Sequence, residues 1–160
     1  MTDDQAGGSR DDASPAADAM DRARRSAARM YADDQVVKAL GISIDGVAPG
    51  RATARMTVTA DMVNGHGIAH GGYLFLLADA AFAYACNTHG PPAVARQCEI
   101  TFLNPAREGD DLTAAAVERV LMQRNGIYDI SVRRANGDVV AEMRGHSRTV
   151  RPGPGTDGSA

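Results

Sequence analysis

The stretch His70-Gly-Gly-Tyr-Leu-Phe-Leu-Leu-Ala-Asp-Ala-Ala-Phe-Ala-Tyr-Ala-Cys-Asn87 decides the fold of this chain. Its Ala- and Leu-rich composition favours a helix over 70–87, and Gly90-Pro91-Pro92 stops it. Apolar residues occupy nearly its whole circumference, so nearly the whole circumference has to be covered. Between Asp61 and Arg96 the only charged side chain is Asp79. An ionisable group is expensive to bury alone, so Asp79 needs either a structural partner, such as Arg96, or a chemical task.

The sequence on either side supplies the cover. Leu40 to Val47 and Gly50 to Thr59 read as strands, the second alternating Ala52, Ala54, Met56 and Val58 with polar residues. After the helix come four more strand segments: Val94 to Leu103, Asp111 to Met122, Ile127 to Arg134 and Val139 to Val150. Arg124-Asn125-Gly126 and Asn136-Gly137-Asp138 carry hairpin signatures, which suggests a four-stranded meander. The expected class is therefore α+β, an antiparallel β-sheet wrapped around one long central apolar helix: the hot-dog arrangement. Residues 16–34 are rich in Ala and Arg and read as an N-terminal helix with a thin apolar face. Residues 1–15 form an acidic extension and 151–160 a tail, both too polar to pack, leaving one folded domain over 16–150.

Bulk properties exclude several functions. The 160 residues, 44% apolar and 23% charged, suit one globular core. Residues 1–34 contain eight Asp and five Arg, so the net charge of −3 lies there and the rest is neutral. Nucleic acid is not an expected partner. The helix over 70–87 is short for a membrane span and is split by Asp79, and the N-terminus lacks a signal-peptide pattern, so no membrane association and a cytoplasmic location are expected. Cys86 and Cys98 have neither metal-knuckle nor redox spacing; no metal is expected, and Cys86 reads as packing.

Met56-Thr-Val-Thr-Ala-Asp-Met-Val-Asn-Gly-His-Gly67, His70-Gly-Gly72, Leu77-Ala-Asp-Ala-Ala-Phe-Ala-Tyr-Ala-Cys-Asn87 and Ile100-Thr-Phe-Leu-Asn-Pro105 closely resemble the PaaI-type hot-dog acyl-CoA thioesterases of phenylacetate degradation. The resemblance covers residues 30–149 with the order of elements intact. It implies hydrolysis of phenylacetyl-CoA or a hydroxylated aryl-acyl-CoA, with no cofactor beyond the coenzyme A of the substrate. It also implies that Asn64 lies near the thioester, that His70 fixes the helix start, and that two subunits share each site, often within a dimer of dimers. Some relatives hold the lytic water with a Ser or Thr on the strand after the helix. Ala95 stands there in this chain, which leaves that task to Asn64 or a backbone group.

Elementary chemistry agrees with the resemblance. A helix starting at His70-Gly71-Gly72 presents unsatisfied N–H groups and a positive dipole end. The Gly71 N–H would polarise a thioester carbonyl, with Gly72 beside it as substrate contact. Asp79 would serve as general base on water or as a nucleophile forming an anhydride. Eight residues of helix separate Gly71 from Asp79 by roughly 12 Å, too far for one carbonyl and its attacking water. The two groups therefore have to meet across a two-fold axis. Arg107, Arg124, Arg144 and Arg148 are available for the CoA phosphates. Asn64-Gly65 also reads as a turn and His70 as a helix cap, while His66 and His89 read as loop residues and His146 as structural. Two rival functions remain: a hot-dog dehydratase or hydratase using His66 or His70 with Asp79, and a non-catalytic acyl-CoA-binding protein.

Overall fold

The computed structural model describes residues 14–150. Helix α1 (Pro15–Asp33) begins where Ser14 accepts the Ala17 N–H, so it starts one residue inside the expected extension. The expectations for 1–13 and 151–160 lie outside the described residues. Asp34 ends α1 and caps a short helix, α2 (Gln35–Ala39), by accepting the Val37 N–H at 3.1 Å. Strands β1 (Ser43–Ala48) and β2 (Arg51–Thr57) follow, then the loop to the central helix α3 (Gly71–Cys86). The chain closes with β3 (Ala93–Phe102), β4 (Asp111–Met122), β5 (Asn125–Arg134) and β6 (Val139–Thr149). Among the described residues no helix is long and apolar enough to cross a membrane.

The six strands form one antiparallel sheet in the order β1-β2-β4-β5-β6-β3, and it wraps α3 as expected. The four-strand meander is corrected: β4, β5 and β6 are consecutive neighbours, whereas β3 pairs with β6 at the far edge. Strand β2 takes the place beside β4, pairing from Arg51↔Val117 to Thr57↔Asp111. The turn between β4 and β5 is corrected too. It is Gln123–Arg124, with Gln123 in the left-handed region at φ 55°, and Asn125 already pairs with Met122. Gly126 is a packing residue, because a Cβ there would lie 2.6 Å from Ser147 Oγ and 2.7 Å from the Tyr128 ring.

Ala52, Ala54 and Met56 of β2, Leu112, Ala114 and Ala116 of β4, and Tyr128, Ile130 and Val132 of β5 are buried with Leu74, Leu77, Ala78, Ala81 and Phe82 of α3. The many alanines let sheet and helix approach closely. At Gly145 a Cβ would lie 2.9 Å from the Phe82 ring, so β6 can pass there only as glycine. Phe82 also meets Tyr128 at 5.4 Å between ring centroids, a tilted pair. Truncating Phe82 to Ala would cost about 3–5 kcal/mol.

The cover is incomplete on one side. Gly71, Phe75, Asp79 and Ala83, four residues apart along α3, are only half-buried. Helical spacing puts them in one stripe. On the neighbouring edge strand and just past it, Val94, Phe102 and Leu103 are each about half exposed. Gly71 and Asp79 thus share the face of α3 that the sheet leaves open.

Candidate active site

The loop before α3 is built to hold the helix start still. Val63 bridges Ala69, the Ala69 N–H donates to the Ala106 carbonyl at 2.8 Å, and the His70 N–H donates to the Met62 carbonyl at 2.8 Å. Gly67, at φ 70°, makes the turn between these anchors. Asn64 Oδ1 accepts the His66 N–H at 2.9 Å, which assigns the amide oxygen to the turn and leaves Nδ2 as the donor end. Asn64 forms the turn expected of Asn64-Gly65, and it also lines a cavity of about 630 Å³ together with Gly71, Leu74, Phe102 and Asn104.

His70 is the N-cap of α3, with extended backbone angles of φ −64° and ψ 133°. Its Nδ1 accepts the Gly72 N–H at 3.1 Å, and its carbonyl accepts the Tyr73 N–H at 3.0 Å. The cap requires an unprotonated Nδ1, so the proton sits on Nε2. Gly72, expected beside the substrate, has its N–H spent in this cap. The Gly71 N–H has no partner among the described residues and borders the cavity. Phe102 lies across it: a Cβ at position 71 would come within 3.0 Å of the Phe102 ring. Of the first helical residues, Gly71 alone keeps an open donor.

Asp79 lies two turns further along, at a second cavity of about 250 Å³. Its carboxylate makes no ion pair and accepts no hydrogen bond among the described residues. Arg96, weighed as its structural partner, is exposed at a bulge of β3. Burial holds the Asp79 carboxyl above the ordinary carboxylate value, so the group is a stronger base than an exposed aspartate. The same surroundings suppress thiol chemistry: burial, with the Asp79 charge adding to it, pushes Cys86 up to about 12 and also raises Cys98. Both cysteines are free.

The remaining candidates divide by position. Arg107 follows Ala106 at the rim of the Gly71 cavity, with its N–H held by Asp110 at 2.8 Å. The Arg124 guanidinium donates to the Thr149 carbonyl, and Arg144 pairs with Asp129 at 2.7 Å. Arg144 and Arg148 alternate with buried Met143, Gly145 and Ser147, which places them on the sheet face turned away from α3. Within one protomer only Arg107 stands beside the cavity. His66 is exposed in the loop, His89 pairs with Glu118 at 2.7 Å, and His146 lies half-buried on β6. No cluster of His, Cys, Asp and Glu that could hold a metal occurs among the described residues.

Three contributors carried no role in the sequence reading. Phe102 fills the space beside Gly71. Asn87 Nδ2 donates to the Ala83 and Ala93 carbonyls and its Oδ1 accepts the Ala93 N–H, each at 2.9 Å. That clamp ties the end of α3 to the start of β3, the two walls of the Asp79 cavity. Met30 reaches this cavity from α1. The one Asn at the helix end, just before Gly90-Pro91-Pro92, was a visible signal for Asn87; Met30 had none, because nothing in the sequence says which face of α3 the N-terminal helix meets.

The profile of the thioesterase superfamily matches residues 66–141. The acyl-coenzyme A thioesterase PaaI of Escherichia coli is 48% identical over 129 residues, covering 81% of this chain and 92% of that protein. Human acyl-coenzyme A thioesterase 13 is 32% identical over 108 residues, covering 64% of this chain and 76% of that protein. The solved structure of the Escherichia coli PaaI protein, from the phenylacetic acid degradation operon, superposes with a TM-score of 0.81 and 47% identity over 82% of this chain and 95% of that one.

Proposed function

This chain belongs to the thioesterase superfamily and is a PaaI-type acyl-CoA thioesterase, and from that premise we propose that it hydrolyses phenylacetyl-CoA or a hydroxylated aryl-acyl-CoA at a site shared by two subunits. One observation carries the shared site. The open Gly71 N–H and the unpaired Asp79 carboxylate lie on the same exposed stripe of α3, yet in separate cavities of one protomer. Their helical separation of roughly 12 Å exceeds what a carbonyl and a hydrogen-bonded water span. Two α3 helices running antiparallel across a two-fold axis bring each Asp79 to Gly71 of the partner subunit. The half-covered stripe and the exposed apolar residues beside β3 supply the surface for such contact. Two such dimers would pair into a tetramer, and the free thiols suit a reducing, cytoplasmic compartment.

In this site Asp79 takes a proton from a water as the water oxygen attacks the thioester carbon. The charge growing on the carbonyl oxygen falls on the N–H of Gly71 of the partner subunit, where no reorganisation is needed. The C–S bond then breaks, the CoA thiolate takes the proton from Asp79, and the carboxylic acid gives its remaining proton to bulk water as it leaves. Asn64 offers Nδ2 to the same carbonyl or to the water, in place of the hydroxyl that Ala95 lacks. The raised basicity of Asp79 suits it to take the proton from water, and the same basicity would serve direct attack by the carboxylate. Arg107, next in sequence to the cavity-lining Ala106, is our candidate to meet the CoA phosphates.

A free-thiol assay with phenylacetyl-CoA tests the reading. Thiol release in step with loss of thioester absorbance is expected. Conversion of an enoyl thioester with the thioester intact would mark the hydratase alternative, and tight binding without turnover would mark a non-catalytic binder.

A further inference from the structure

We propose that helix α1 sets the size of the acyl group, with Met30 as the floor of the acyl pocket beneath Asp79. The inference rests on the thioesterase reading and deepens it. The cavity of about 250 Å³ at Asp79 is walled by Phe82 and Ala83 of α3, Ala93 and Ala95 of β3, and Met30 of α1. Asp79 is the only charged group lining it. With the thioester carbon beside Asp79, this is the space next to the reacting centre on the same protomer. A lytic water does not account for it: one water occupies about 30 Å³ and needs two to four polar partners. A dry cavity of roughly 150 Å³ already admits benzene, so this one has room for a phenyl ring and a methylene.

The pocket exists because three of its walls are alanines, and it ends where Met30 closes it. Met30 is the one lining residue from outside α3, its cap Asn87 and β3. Helix α1 is docked well enough to act as a fixed floor. Ala23 and Ser26 are buried beneath it, Arg22 packs against Gly90, and Asp34 at its end accepts the Tyr84 O–H at 3.5 Å. Burial and the Asp34 charge push the Tyr84 phenol up to about 12, so this contact persists across the working pH range.

Specificity constants for acetyl-, phenylacetyl- and octanoyl-CoA, measured with the full chain and with Met30→Ala, Met30→Phe and Met30→Leu, test the proposal. Met30→Ala is expected to raise octanoyl relative to phenylacetyl turnover by about tenfold, the size of effect that a missing methylene or two produces in an apolar pocket. Met30→Phe should lower phenylacetyl turnover by about tenfold while acetyl turnover changes by less than about twofold. Met30→Leu conserves volume and should keep the wild-type ranking, with melting curves reporting the fold of all three. Equal scaling of all three substrates, or an unchanged ranking, overturns the role of Met30 and leaves the thioesterase reading standing. Release of CoA from none of them by the unmodified chain overturns both.

Discussion

The cavity at the start of α3 and the cavity two turns along it both have apolar walls and differ in the polar group each one holds. The first has apolar walls, Leu74 and Phe102 among them, around one open backbone N–H at Gly71. A capped helix start and a bridged loop hold that N–H in place, and no charged side chain lines the cavity among the described residues. The second is framed by apolar side chains around one unpaired carboxylate, Asp79. A backbone donor needs only rigidity to be ready for a developing negative charge, and hydrogen bonds supply it. A base needs its charge left uncompensated, and an apolar wall supplies that. Each cavity holds what the other lacks, which is why we propose a site divided between two subunits.

Removing the charge is the hardest blow to this division of labour. Asp79→Asn should lower CoA release by about 10²–10⁴-fold with the acyl-CoA still bound, read by the free-thiol assay and by calorimetric titration. Near-normal turnover would falsify the assignment of Asp79 as base. Removing the donor comes next. Gly71→Pro deletes the N–H at a first helical position where proline is tolerated and where His70 is already extended, and should cost about 10²–10³-fold in kcat. Gly71→Ala keeps the N–H and crowds Phe102 equally at Cβ, so the gap between the two variants isolates the donor.

Weakening the frame has a smaller effect. His70→Ala loses the cap on Gly72 and should destabilise the protein by about 1 kcal/mol with a modest fall in kcat, whereas His70→Asn keeps a capping oxygen and most of both. Thermal melting and initial rates on the three proteins decide it. The smallest effect concerns the cost of holding Asp79 ready. Its folded-state pKa is raised, so the native chain binds the proton more tightly than the unfolded chain. Stability therefore falls as pH rises from the ordinary carboxylate value through the raised one, and the loss is complete above it. Asp79→Asn should melt slightly higher than the unmodified protein at neutral pH, with the difference vanishing in acid; an equal or lower Tm at neutral pH would contradict the cost.

Sequence reached the fold through α3, because a helix apolar all round constrains its surroundings more than any strand does. It did not reach the partner of β3, since alternation identifies a strand without naming its neighbour, and β3 pairs across to β6 rather than on to β4. Helix α2 escaped because five residues carry too little periodicity, although Asp34 marked its start. Within the candidate site, Asp79 and Gly71 stood out from composition and spacing, whereas the site roles of Asn64 and His70 came from the resemblance. The competition between Gly71 and Gly72 was not legible, because it turns on which N–H the His70 ring reaches. Met30 was invisible for a similar reason: its role depends on where α1 docks.

The shared site is tested most directly by mixed dimers. Asp79→Asn and Gly71→Pro subunits, each nearly inactive, are given different affinity tags, combined, and purified through both tags, with any tetramer dissociated to dimers before each tag step so that only heterodimers remain. One of the two sites in each heterodimer then pairs an intact Asp79 with an intact Gly71, and about half of the wild-type rate should return. Doubly purified heterodimers as inactive as their parents would contradict a site divided between subunits.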